Sequence, residues 1–147
     1  MDIPTSRFGQ IAIEPEDLIQ FPCGLIGLED CRKWLLLADA RNDSVGWLQS
    51  ADRAEIALAV VSPRRFVPDY QVRVSRRQLE PIETGTSGDA QVLAILAAQS
   101  NGTMTLNLKA PLVINLDQLT GIQVIVSEDW AVQHPLTSVA APLRKSA

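Results

Sequence analysis

The chain has 147 residues, 46% of them hydrophobic and 20% charged, with a formal net charge of −4. That length and composition describe one globular domain, and exclude a second full core, a low-complexity chain and a disordered one. The longest apolar run, residues 92–98, falls far short of the roughly 20 residues of a membrane-spanning helix. The opening Met-Asp-Ile-Pro-Thr-Ser lacks the basic flank and apolar stretch of a signal peptide, so a cytoplasmic protein is expected.

Taken in chain order, the signals are short apolar stretches broken by turn residues, the pattern of a strand-rich domain. Residues 8–13 read as a strand entered from a bend at Gly9, and 17–21 as a second one closed by Pro22-Cys23-Gly24. Residues 34–38 and 46–50 are compact apolar runs on either side of a loop, and 55–62 is another, stopped by Pro63. Gln71-Val72-Arg73-Val74 alternates with period two and predicts a half-exposed strand. Ser75 then caps one helical turn over 76–79, ended by Pro81, and 83–89 reads as a mobile loop.

Residues 90–99 and 103–109 flank Asn101-Gly102, which predicts a tight hairpin. Within the second arm Met104, Leu106 and Leu108 alternate with Thr105, Asn107 and Lys109, giving one buried and one wet face. Pro111 is expected to break that run, with strands at 112–116 and 121–126 and a last ordered stretch at 130–136. About ten strands with few short helices imply a mainly β, antiparallel, closed or nearly closed barrel-like domain over residues 1–136, followed by a flexible tail at 137–147.

Charge is unevenly spread. Residues 1–30 hold Asp2, Glu14, Glu16, Asp17, Glu29 and Asp30 against Arg7 alone, a local −5. Residues 64–77 hold Arg64, Arg65, Arg73, Arg76 and Arg77 against Asp69, a local +4, which leaves −8 for the rest. A mostly acidic surface repels phosphate backbones and favours basic protein partners. The arginines, with Phe66 and Tyr70 among them, allow a stacking-plus-phosphate RNA site, but both aromatics are equally good core residues.

Catalytic machinery is hard to find. The single histidine, His134, could serve Cys23, Cys31 or Ser50 only through the fold, since no local sequence supports such a pair. The adjacent carboxylates Glu16-Asp17, Glu29-Asp30 and Glu128-Asp129 would point to opposite faces of a strand and read as solvated charge. Cys23 and Cys31 match no zinc or redox spacing and read as free thiols, so no metal and no cofactor are expected. A binding role is what remains.

Several strings, taken in order, resemble the flagellar assembly factor family FliW. They are Phe21-Pro22-Cys23-Gly24-Leu25-Ile26-Gly27-Leu28-Glu29, Trp47-Leu48-Gln49-Ser50, Leu58-Ala59-Val60-Val61 with Pro63, Pro68-Asp69-Tyr70, Asn107-Leu108-Lys109-Ala110-Pro111-Leu112-Val113-Ile114-Asn115, Gly121-Ile122-Gln123-Val124-Ile125 and His134-Pro135-Leu136. Most of these positions also have a structural reading. Gly24 and Gly27 supply backbone angles closed to other residues, and Pro111 belongs at an edge or bend. Trp47, Leu48, Leu106, Leu108 and Ile114 read as core, whereas Gln49, Asn107 and Asn115 must be hydrogen-bonded if buried. Leu28 and Ser62 depart from the family pattern, where Phe and an acidic residue or Thr are usual.

The resemblance implies a non-enzymatic, monomeric regulatory factor or chaperone of flagellum biogenesis. It would bind the RNA-binding translational repressor CsrA and antagonise it, and would also bind flagellin, with no direct contact to nucleic acid or membrane. Glu14, Glu16, Asp17, Glu29 and Asp30 are the partner-binding candidates, as the densest negative charge in the chain. An RNA-contacting module built on the arginines of 64–77 is the alternative, and a small hydrolase around His134 comes third.

Overall fold

The computed structural model describes residues 1–82 and 90–136. The loop expected at 83–89 and the tail expected at 137–147 lie outside the described residues. Within them, the strands are β1 Asp2–Thr5, β2 Gly9–Ala12, β3 Leu18–Gln20, β4 Lys33–Ala38, β5 Val45–Ser50, β6 Ala57–Val61, β7 Ala90–Ala98, β8 Met104–Asn115, β9 Thr120–Gln123 and β10 His134–Pro135, with one short helix, α1 Arg76–Leu79. The helix has its expected cap: Ser75 Oγ accepts from the Gln78 amide at 3.1 Å, and Gln78 Oε1 accepts from the Ser75 amide at 3.0 Å.

Seven strands close into a barrel in the order β8-β7-β6-β5-β4-β3-β9, with β9 returning to β8. Six of the seven neighbouring pairs are antiparallel. The seventh, β3 with β9, is parallel, which corrects the antiparallel expectation to a mixed barrel. Parity requires it: around a ring with an odd number of strands, directions cannot alternate at every step. That seam has a single register pair, Gln20 with Thr120, and a 2.8 Å bond from the Gln20 amide to the Leu119 carbonyl.

Alternation along the strands sorts the side chains. Ile19, Phe21, Trp34, Leu48, Val60, Leu112 and Ile114 pack together inside the barrel with Leu25 and Cys31. On the outer face of β4, Leu35 meets Ile3, Ile13 and Leu18 beneath the β1–β2 hairpin, a strand pair that residues 8–13 anticipate only in its second half. Trp47 cannot share the interior with its neighbour Leu48 and is half-buried on the outside rather than in the core. Its indole lies edge-on to Phe8, with the Arg7 guanidinium 4.2 Å from the ring centroid. The indole N–H donates to Asp39 Oδ1 at 2.9 Å. That bond first, then the Arg41 amide, holds the Asp39 carboxyl below its ordinary range.

Pro111 does not break a strand. It lies within β8, where the ladder to β7 jumps from Asn107–Ile95 to Leu112–Leu93. Residues 108–111 oppose Ala94 alone, so the missing proline N–H costs no ladder bond, and the Pro111 carbonyl accepts from the Val124 amide at 3.0 Å. Three extra residues, an odd number, also reverse the facing of the strand. Leu112 and Ile114 point into the barrel, whereas Leu106 and Leu108 join an outer core with Val61, Val67, Tyr70, Ala94, Leu96 and Leu136. For the same reason the anticipated wet face is not wet: Thr105 is buried, and Asn107 and Lys109 are half-buried.

Residues 71–74 alternate exposed and half-buried as anticipated, but no strand pairs with them among the described residues. Their backbone is held by side chains instead. The Arg73 amide donates to Glu128 Oε2 at 2.8 Å and the Gln71 carbonyl accepts from Trp130 Nε1 at 3.1 Å. Period two reports an extended, half-exposed chain, not the partner that satisfies it.

A Cβ on Gly121 would lie 2.5–2.9 Å from three atoms of the Phe21 ring, which is fully buried at the seam. Gly121→Ala should therefore cost about 1–3 kcal/mol of stability through overpacking. In a Phe21→Leu background the same change should cost clearly less, and chemical denaturation of the four proteins measures the coupling.

Candidate functional site

The acidic candidates occupy two places. Glu14, Glu16 and Asp17 surround the 3-10 turn Pro15–Asp17 that leads into β3, and all are exposed. Asp17 Oδ2 accepts from the Glu14 amide at 2.8 Å, which pins the turn. Glu29 and Asp30 lie in the loop after the other end of β3, where the Phe21 amide meets the Arg32 carbonyl at 2.7 Å. The two groups are thus separated by about 10 Å of strand, close to the Debye length at physiological salt, and form two acidic patches rather than one.

Glu29 and Asp30 also have local partners. Glu29 Oε2 accepts from the Gly27 amide at 3.0 Å, and Asp30 is paired with Arg53 at 2.8 Å on an exposed surface. A pair this exposed adds little stability, but it cancels Asp30's field at a distance. The loop is shaped by Gly24, at φ +66°, whose missing Cβ would sit 2.6 Å from the Glu29 backbone. Leu25 and Phe21 are buried beneath it, Pro22 and Cys23 are exposed, and Ile26 is left 56% exposed with its amide bonded to Gln123 Oε1 at 2.8 Å.

The arginines are dispersed too. Arg64 and Arg65 occupy the 3-10 turn Pro63–Arg65, Arg76 and Arg77 belong to α1, and Arg73 lies between. Arg65 Nη1 donates to Ser44 Oγ at 2.9 Å. Neither aromatic of this stretch offers a stacking platform. Tyr70 is 2% exposed with its hydroxyl donating to the Leu108 carbonyl at 2.8 Å, and Phe66 is half-buried against the outer core.

Arg64 and Arg73 do share one feature, a cleft of ≈ 680 Å³ on the outer wall of the barrel. Its walls are Ser62 and Pro63 on one side, Gln71 and Val72 on the other, and Val92 and Leu93 of β7 behind. Glu128, which reads in sequence as a solvated charge beside Asp129, is built into it. Its Oε2 takes the Arg73 amide, its carbonyl takes Lys109 Nζ at 2.9 Å, and its Oε1 is buried without a hydrogen-bond partner. No signal in the sequence separates Glu128 from Asp129, because the bonds that bury it come from residues 55 and 19 positions away.

Three polar family-string positions differ in how they are satisfied. Asn115 Oδ1 accepts from the Asp117 and Gln118 amides, and Asn107 Oδ1 from the Ala110 amide. Gln49 is fully buried; its Nε2 donates to the Ser50 and Ala54 carbonyls, but its Oε1 has no partner. His134 lies beside Leu106 in the β8–β10 ladder, while Cys31 is in the barrel interior and Ser50 Oγ is occupied by the Asp52 and Arg53 amides. No hydrogen bond joins His134 to any of them among the described residues.

Fold and surface together define a small mixed β-barrel with exposed acidic residues at both ends of β3 and an outer cleft. A family model described as FliW protein matches residues 2–136. The flagellar assembly factor FliW of Bdellovibrio bacteriovorus is 35% identical over 138 residues, covering 92% of this chain and 79% of that protein. That of Natranaerobius thermophilus is 33% identical over 139 residues, 92% of each chain. A crystal structure of the flagellar assembly factor FliW has a TM-score of 0.85 at 26% identity, covering 95% of this chain and 99% of that one. The chain belongs to the FliW family of flagellar assembly factors, as its ordered strings anticipate.

Tyr70, the sole tyrosine, gives the cleft a spectroscopic reporter. Burial, and then the negative charge of Glu128, push its hydroxyl up from 10.0 to about 12. Phenolate absorbance should thus rise near pH 12 in the native protein and near pH 10 in denaturant. The folded state holds the proton more tightly, so this contribution to stability is complete below about pH 10 and is lost as pH rises to about 12. Tyr70→Phe should remove that part of the alkaline decline.

Proposed function

We propose that this chain is a non-enzymatic, cytoplasmic partner switch that acts as a monomer. It binds the translational repressor CsrA and antagonises its hold on messenger RNA, and it also binds flagellin. Free of flagellin, it keeps CsrA off the messenger and flagellin is made. As flagellin accumulates it occupies this protein and CsrA returns to the RNA. Membership of the FliW family over residues 2–136 carries the reading, and the exposed acids at both ends of β3 support it, since an RNA-binding partner is basic.

Glu14, Glu16, Asp17, Glu29 and Asp30 are the proposed contact and steering residues for CsrA. Asp30 is expected to contribute least, because Arg53 already neutralises it. The RNA-module alternative is weakened by the burial of Tyr70 and by the scatter of the five arginines over a turn, an extended segment and a helix. A hydrolase around His134 has no nucleophile beside it among the described residues.

Gel-shift measurements separate these readings. The purified chain should fail to shift RNA alone, should release RNA already held by CsrA, and should lose that effect in proportion to added flagellin. Direct RNA binding at physiological salt, abolished by replacing Arg64, Arg65, Arg73, Arg76 and Arg77, would favour the alternative. Association with CsrA should slow as salt rises, and reversing the charge of the five acids together should slow it several-fold. Stopped-flow kinetics would read both effects.

A further inference from the structure

The cleft beside β7 has features that neither the two acidic patches nor the family strings account for. Strand β6 pairs with β7 only from Val61–Ala94 onward, then turns away at Ser62 into the Pro63–Arg65 turn. The first part of β7, Gln91 to Leu93, continues pairing with β8 on one side but has no strand partner on the side β6 has left, among the described residues. Alternate backbone N–H and C=O groups of that stretch face the cleft. An open edge of this kind is where an extended segment adds to a sheet.

The other walls specify what that segment carries. Val72 and Val92 make an apolar floor and are only partly buried, while Leu93 lines the cleft by its backbone and turns its side chain to the barrel interior. Arg64 and Arg73 are exposed at the cleft, and neither is in an ion pair among the described residues. They complement a carboxylate. Glu128 Oε1, buried and without a donor, complements an N–H, as an extended backbone presents at every second residue. A volume of ≈ 680 Å³ admits several residues of an extended segment.

We propose that this cleft binds an extended, acidic peptide segment of a partner protein by strand addition to β7, along the line that β6 vacates at Ser62. Apolar side chains of the segment settle on Val72 and Val92, an Asp or Glu engages Arg64 and Arg73, and one of its amides donates to Glu128 Oε1. The site is independent of the CsrA reading: it is basic, on the outer wall, and built from residues outside the two acidic patches.

Selection of a random peptide library displayed on phage against the full chain, followed by anisotropy with the synthesised consensus peptide, tests this. The expected consensus alternates apolar residues with Asp or Glu. Arg64→Glu with Arg73→Glu should weaken its binding at least tenfold, Glu128→Gln several-fold, and both variants should melt like the parent. Amide resonances of Gln91, Val92 and Leu93 should shift on binding, and their exchange with solvent should slow. The proposal is overturned by a library that yields no binder, by a consensus that is basic or helical, or by binders that ignore both variants. It is overturned equally if the double arginine variant instead abolishes binding of a single-stranded RNA probe, or changes the self-association of the chain in sedimentation, because the cleft then serves nucleic acid or a second copy.

Discussion

One pair of residues closes this barrel. Gln20 of β3 lies beside Thr120 of β9, in parallel, and the ring of seven strands has no other join between those two. A single parallel pair is a weak ladder, so the seam depends on what is buried across it. Phe21 follows directly, fully buried, with its ring against the bare Cα of Gly121. Any side chain there would push the ring away and open the two strands. Closure in turn removes the free edges of β3 and β9 and lets the interior be packed from every strand. The loop after Phe21 inherits its position from this contact, and with it Ile26, Glu29 and Asp30.

The second organising feature is the irregularity in β8. A strand of twelve residues that kept its alternation would put Leu106, Leu108, Leu112 and Ile114 on one face. The extra residues at Pro111 turn the chain over, so one strand supplies both the interior and an outer core. The outer core needs a cover, and residues 66–72 with Trp130 and Leu136 provide it. Tyr70 anchors that cover by its bond to the Leu108 carbonyl and its ring packing on Trp130 at 4.9 Å. The cleft exists because the cover and β7 do not meet along their whole length.

The acidic candidates and the cleft arginines occupy different parts of the surface. The acids of the β3 ends and the arginines of the cleft are on different elements, joined by no ion pair among the described residues. Two such surfaces suit a protein that meets more than one partner, since each sign steers a different encounter. That arrangement is compatible with the FliW family's role in flagellar assembly and needs no catalytic group.

Local chemistry made much of this legible in the sequence. Ser75 and Gln78 cap α1, Asn101-Gly102 turns the β7–β8 hairpin with Gly102 at φ +87°, and period two marks the half-exposed chain at 71–74. The ordered strings carried the family, and the apolar runs carried the strand count and the barrel class. Each of these depends on residues near one another in the chain. What tertiary structure decided was every pairing between distant residues. These include the parallel seam that an odd ring imposes, the reversal at Pro111, the exile of Trp47 to the outer wall and the burial of Glu128 by Arg73 and Lys109. The physical reason is that hydrogen-bond demand is encoded locally, whereas the partner that meets it is chosen only when the barrel closes.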